Sequence, residues 1–297
     1  MFKNVLIGVD GKDHGRDAIA LARRLSDPGA KLTLVHVHPG EHNRLHAIKT
    51  SKLEKESASS TALLEAERSH TGIDADILSV VAESPGAGLH QHADEAGADL
   101  IVVGSTSRSA LGRVTLGDDT RAALNGSPCA VAIAARGYSG DTGPIATVGV
   151  GYNESHEAEY ALQVARTIAE PTGASVSLLE VIAIPSYSYA GMLAPVGEGI
   201  DVMLEDANKR IQEIPDTLGR VVFGLTGEEL AAFGENVDIL VVGSRSYGPL
   251  RRLVVGSTSE YLERHARCSL LVLPRSAVPA EQDDADPGTQ APASSAT

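Results

Sequence analysis

Two glycine-bearing stretches contain residue types able to hold a phosphate. The later one runs Gly243-Ser244-Arg245-Ser246, continues through Arg251 and Arg252, and ends at Gly256-Ser257-Thr258. The earlier one runs Gly104-Ser105-Thr106-Ser107 and ends at Gly117-Asp118-Asp119. A glycine loop that leads into a fresh helix leaves backbone N–H groups aimed at an anion, and the helix dipole favours negative charge there. Ser257 and Thr258 add hydroxyl donors, and the three arginines offset the negative charge of a triphosphate. Asp118 and Asp119 sit where the earlier helix would receive phosphates. They satisfy the dipole themselves and, at an effective dielectric near 20, repel a phosphate by roughly a few kcal/mol per close contact. Phosphate is therefore expected in the later stretch. For the earlier one a plain strand-to-helix turn capped by Asp118 is the expected role.

Other candidate groups point to simpler roles. His36, His38, His42 and His46 crowd one stretch, with His42 and His46 on one helical face, but a metal needs convergent ligands held by hydrogen-bonded supports. A strand-end histidine followed by a polar loop is the expected reading. Cys129 and Cys268 begin apolar runs and read as packed thiols. His265 reads as a helix C-terminal residue. Gly11-Lys12-Asp13 lacks the Ser or Thr of a phosphate-binding P-loop, and no carboxylate pair has a catalytic spacing. Nothing in these residues defines a reaction.

The elements that must position them occur twice. Asp99-Leu100-Ile101-Val102-Val103-Gly104-Ser105 recurs as Asp238-Ile239-Leu240-Val241-Val242-Gly243-Ser244, and Gly117 and Cys129 match Gly256 and Cys268 at the same shift. Near the starts, Gly8-Val9 matches Gly149-Val150, which puts Gly151 opposite Asp10. In each copy, Val/Ile/Leu runs alternate with helical patterns. In the first, strands are expected at 4–10, 31–37, 74–82, 99–104 and 129–134, and helices at 15–26, 51–69, 86–96 and 118–125. In the second, strands are expected at 145–150, 175–182, 220–223, 238–243 and 269–273, and helices at 156–170, 200–213, 226–234 and 257–265. Such alternation predicts an α/β fold of right-handed βαβ units on parallel sheets, with ligands at the carboxyl ends of strands one and four. Residues 1–135 form one domain and 145–275 the other. The stretch 136–144 is a linker with turn chemistry and little to bury, and 276–297 an acidic, Pro-rich disordered tail.

Composition limits the partners. The chain has 297 residues, a formal net charge of -14, no Trp and three Phe. The acidic balance argues against nucleic-acid or anionic-membrane binding, and no apolar run is long enough to span a bilayer. Two cysteines make no disulfide framework, so a reducing, cytoplasmic setting is expected.

With these motifs in place, the chain resembles the universal stress proteins over both copies. ATP-binding members carry Gly-x2-Gly-x9-Gly-Ser/Thr after strand four and an Asp ending strand one. The second copy reads Gly243-x2-Ser246-x9-Gly256-Ser257, with Ser for the second Gly. The first keeps Asp10 but reads Gly104-x2-Ser107-x9-Gly117-Asp118. The strand-two Val whose backbone meets adenine in the family corresponds to Val37 and Val181. The resemblance implies two tandem Rossmann-like domains, each a five-stranded parallel sheet in order 3-2-1-4-5. It also implies an intrachain pseudo-dimer through the final strands, with a homodimer as a further assembly. Function is then stress-response signalling through ATP or a related adenine nucleotide, with magnesium only alongside ATP. A nucleotide-free scaffold and a slow magnesium-dependent ATPase are the alternatives.

Overall fold

A computed structural model describes the chain except residues 40–45, 107, 108, 116, 118–120, 122, 142, 184–197, 245–252, 254, 255 and 275–297, and the side chains of 39, 46–54 and 198. The first repeat contains strands β1 (Phe2–Gly8), β2 (Ser26–Pro39), β3 (Asp76–Ala82), β4 (Leu100–Gly104) and β5 (Ala130–Ala134). Helices α1 (Asp13–Leu25), α2 (His46–Thr71) and α3 (Pro85–Ala96) connect them. The second contains β6 (Thr147–Tyr152), β7 (Ser175–Ala183), β8 (Leu218–Gly224), β9 (Ile239–Gly243) and β10 (Ser269–Leu273). Its helices are α4 (His156–Ala169), α5 (Glu198–Gln212), α6 (Thr226–Phe233) and α7 (Ser257–His265). The expected helix over 118–125 falls largely outside the described residues, as does the tail.

All ten strands form one sheet in the order β3-β2-β1-β4-β5-β10-β9-β6-β7-β8. Within each repeat the neighbours are parallel; only β5 and β10 meet antiparallel, with Leu271 opposite Ala132 and Val272 opposite Val131. Helices cover both faces, so β4, β5 and β10 are buried throughout and read as continuous apolar runs. In α1 the buried Ala18, Leu21, Ala22 and Leu25 recur at helical spacing and turn one face to the sheet. Two core layers result, one on each face, and each runs through both repeats. The seam packs small against large: Ala132 faces Leu271 within one layer.

Strand register corrects one alignment drawn from sequence. Val5 lies beside Leu100 in the first repeat, and Val148 beside Ile239 in the second. Since Leu100 and Ile239 are equivalent, Val5 corresponds to Val148 and Asp10 to Asn153, not to Gly151. Matching Gly-Val dipeptides had slid the strand by two residues, a shift that preserves the inward–outward alternation and so leaves no trace in the hydrophobic pattern. Gly151 instead corresponds to Gly8.

The linker also buries more than its composition suggests. Tyr138 is 8% exposed, and Arg24 lies over its ring at 4.5 Å. The Gly137 and Ser139 backbone N–H groups, each at 2.8 Å, and the Ser139 hydroxyl, at 2.7 Å, donate to the buried Asp17 carboxylate. A carboxylate on α1 thus fixes the chain where it passes between repeats.

Candidate functional site

Each repeat has a crevice at the carboxyl ends of its central strands. The first encloses about 310 Å³ between Asp10, Val37, Gly104, Ser105, Thr106 and Gly117. The second encloses about 420 Å³ between Asn153, Val181, Gly243, Ser244, Gly256 and Thr258. Both volumes suit a small-molecule ligand. Of the residues expected from sequence, Asp10, Val37, Gly104 and Gly117 therefore converge in one place, and Val181, Gly243, Gly256 and Thr258 in the other. Ser257 begins α7 without being part of the lining. Ser107, Ser246, Asp118, Asp119 and the three loop arginines lie outside the described residues.

The first crevice has a charged entrance that the motifs did not reveal. Asp10 receives His14 Nε2 at 2.8 Å and Lys12 Nζ at 3.1 Å. Burial pushes the Asp10 carboxyl up, but His14 and then Lys12 outweigh it and bring it to about 2. Asp10 is thus ionised across the physiological range. His14, in the first turn of α1, follows Asp10 by four residues across the non-helical turn that leads into the helix. His36 Nδ1 lies 2.7 Å from the Val9 carbonyl oxygen and so carries its proton there.

In the loop itself, the Ser105 hydroxyl donates to the Thr115 carbonyl at 3.1 Å and accepts from the Thr115 N–H at 2.8 Å. The Gly112 N–H donates to the Arg136 carbonyl and the Arg136 N–H to the Arg113 carbonyl. These bonds close the segment after β4 on itself and tie it to the linker.

The second crevice has different chemistry at the same positions. Asn153 replaces Asp10 and accepts from the Ser155 hydroxyl at 2.6 Å. Glu157 replaces His14 and packs against Gly243. The Ser244 hydroxyl, in a residue 3% exposed, has no hydrogen-bond partner among the described residues, and Val254, the counterpart of Ser105's partner Thr115, lies outside them. Gly256 caps α7 without a side-chain bond, so the first turn is served by no capping oxygen from that residue. The lining thus combines the Ser244 hydroxyl, Thr258, Ser259 and a helix start whose capping residue has no side chain.

His38, His265 and the two cysteines line neither crevice. His38 is buried, with neither ring nitrogen partnered among the described residues, while the His42 and His46 side chains lie outside them. Among the described residues no group of three His, Cys, Asp or Glu is placed to hold a metal. His265 Nδ1 lies 2.9 Å from the Tyr261 carbonyl in the last turn of α7, and the two rings stack. Cys129 and Cys268 are free and buried, and burial pushes each thiol up to about 12.

Two α/β repeats, each with a crevice beside a glycine-bearing loop, define a tandem Rossmann-like protein. The Universal stress protein family model matches residues 1–135 and again 144–274, and the chain belongs to that family. A Thermus aquaticus relative, the universal stress protein in QAH/OAS sulfhydrylase 3'region, is 31% identical over 140 residues, covering 44% of this chain and 97% of its own. A solved universal stress protein from Archaeoglobus fulgidus DSM 4304 aligns over 92% of this chain and 98% of its own, with a TM-score of 0.62 and 17% identity, a likeness of fold. Among the described residues no helix is long and apolar enough to cross a membrane.

Proposed function

We propose that the second repeat binds an adenine nucleotide such as ATP, and that the protein acts in stress-response signalling through that bound state, in the cytoplasm, rather than by turnover. The observation that carries this reading is the buried Ser244 hydroxyl, without a partner among the described residues, beside the Gly256-capped start of α7. A buried hydroxyl without a partner costs about 1–3 kcal/mol, and a phosphate oxygen supplies the acceptor it lacks. Val181 lines the same crevice, and the adenine would lie against it. Asn153 and Glu157 stand where ribose hydroxyls would reach them. Magnesium enters with the triphosphate, held by its oxygens and water.

Mass spectrometry of small molecules released from the purified protein, together with ATP calorimetry, tests the proposal. Gly256→Asp should abolish binding by adding bulk and like charge at the helix start, whereas Gly117→Asp should change little. A folded wild-type protein that neither carries nor binds a nucleotide would support the scaffold reading instead. Magnesium-dependent phosphate release would support a slow ATPase.

A further inference from the structure

Val114 and Leu253 stand at the same place in the two repeats, between the glycine ending strand four and the glycine opening the next helix. Both are fully buried, in a core layer that also holds Leu124, Leu262 and Ala266. Each is bonded to the opposite repeat. The Val114 N–H donates to the Ala266 carbonyl at 2.9 Å, and the Leu253 N–H donates to the Ser127 carbonyl at 2.9 Å. Ala266 and Ser127 are themselves equivalent, so the two bonds are related by the pseudo-two-fold axis through β5 and β10. The arrangement departs from symmetry at one point. The Gly126 N–H donates back to the Leu253 carbonyl at 2.9 Å, closing a two-bond bridge. Gly126 takes a left-handed φ of 88° to do so, while its counterpart His265 is the last residue of α7. A residue in a helix is not available for that geometry, whereas glycine adopts it readily.

We infer that each repeat fixes the point from which the other repeat's chain enters its phosphate-side helix, with Leu253 and Val114 as the positioning residues and Gly126 as the first repeat's clamp on Leu253. The inference deepens the nucleotide reading and rests on it for its consequence: affinity in the second crevice depends on a glycine in the first repeat. Leu253 precedes Gly256 by three residues, so release of its bridge displaces the start of α7 that would receive phosphate. Gly126 is not among the described residues that line the second crevice, and its N–H reaches Leu253 through the carbonyl bond.

Gly126→Ala in the full chain tests this. A β-carbon there meets only His90 atoms at 3.8 and 4.0 Å, so the change strains φ without crowding. Gly29→Ala serves as control, because Gly29 also has a left-handed φ, of 82°, and nothing within 4 Å of its β-carbon. Amide exchange followed by NMR should show Leu253 exchanging at least about tenfold faster in Gly126→Ala and unchanged in Gly29→Ala, since exchange reads local opening. Calorimetry with ATP should show at least about fivefold weaker binding for Gly126→Ala only.

Equal acceleration in both variants, or in neither, overturns the positioning role, because the effect would then be global or absent. Unchanged ATP affinity beside a loosened Leu253 overturns the link to the crevice. Failure of the wild type to bind ATP sinks the nucleotide reading, and with it the affinity consequence, while the exchange comparison still decides whether Gly126 clamps Leu253.

Discussion

The backbone carbonyl oxygen of His14 lies 2.0 Å from where a β-carbon on Gly104 would stand. The first turn of α1 therefore rests directly on the end of β4, and only glycine permits that approach. At the equivalent contact in the second repeat, a β-carbon on Gly243 would come 2.7 Å from the Glu157 β-carbon and 3.1 Å from its carbonyl oxygen.

This difference ranks two substitutions. Gly104→Ala must move backbone and should cost about 3 kcal/mol, the upper end for overpacking; Gly243→Ala should cost about 1–2 kcal/mol. Urea unfolding of the two variants gives the order. A larger loss for Gly243→Ala would contradict the closer helix–strand contact in the first repeat.

The corrected strand register changes how the second crevice should be restored to the family pattern. A β-carbon at Gly151 meets Leu230 at 3.2 Å and Val242 at 3.3 Å, so Gly151→Asp would place a carboxylate among apolar side chains. It should cost about 3 kcal/mol or more. Asn153→Asp puts the carboxylate where Asp10 stands and should leave stability nearly unchanged while tightening ATP binding. Thermal melts and ATP titrations of both variants decide this, and a stable, tighter-binding Gly151→Asp would reinstate the other alignment.

Across the seam, Arg121 Nε approaches Glu263 Oε1 at 2.7 Å, with Glu263 fully buried. The contact is close, but among the described residues neither atom makes a hydrogen bond of good geometry. Burial pushes the Glu263 carboxyl up against the opposing pull of Arg121 and Arg264. A carboxyl raised on folding binds its proton more tightly in the folded state. Its contribution is therefore fully present below the ordinary value of 4.5 and is lost as pH rises through the folded value.

Glu263→Gln should accordingly flatten the fall in stability as pH rises from 4.5 toward neutrality. Arg121→Ala should cost about 2–3 kcal/mol at pH 7, less than a fully enclosed pair because Arg121 is 37% exposed. Adding Glu263→Gln to it should recover much of that loss. Urea titrations at several pH values check both, and an Arg121→Ala defect that Glu263→Gln does not relieve would rule out the buried charge as its cause.

Cys129 and Cys268 immediately precede β5 and β10, at opposite ends of the seam. Leu270 pairs with Ile133, which extends to Cys268 opposite Ala135, six residues along from Cys129. At about 3.4 Å per residue the two are roughly 20 Å apart, beyond the roughly 7 Å a disulfide spans. With both thiols pushed up to about 12 by burial, alkylation near neutral pH should proceed only as fast as the protein opens. A Cys129–Cys268 crosslink in peptide maps of the native protein would contradict the antiparallel seam.

The repeat of Asp99–Ser105 as Asp238–Ser244, and the alternation of apolar runs with helical patterns, were enough to read an α/β fold in two copies and to point to Gly104, Gly117, Gly243 and Gly256. Those features are local: they depend on period and on residues next to one another in the chain. What the tertiary structure decided are relations between distant segments. A slip of two residues left the pattern of β6 intact, so only its pairing with β9 could assign Asn153 to the place of Asp10. The linker's buried Tyr138 depended on Asp17, and the loop residues Val114 and Leu253 depended on backbone groups of the other repeat. Backbone hydrogen bonds carry no residue preference that a sequence displays, so contacts made through them became visible only once β5 and β10 were joined.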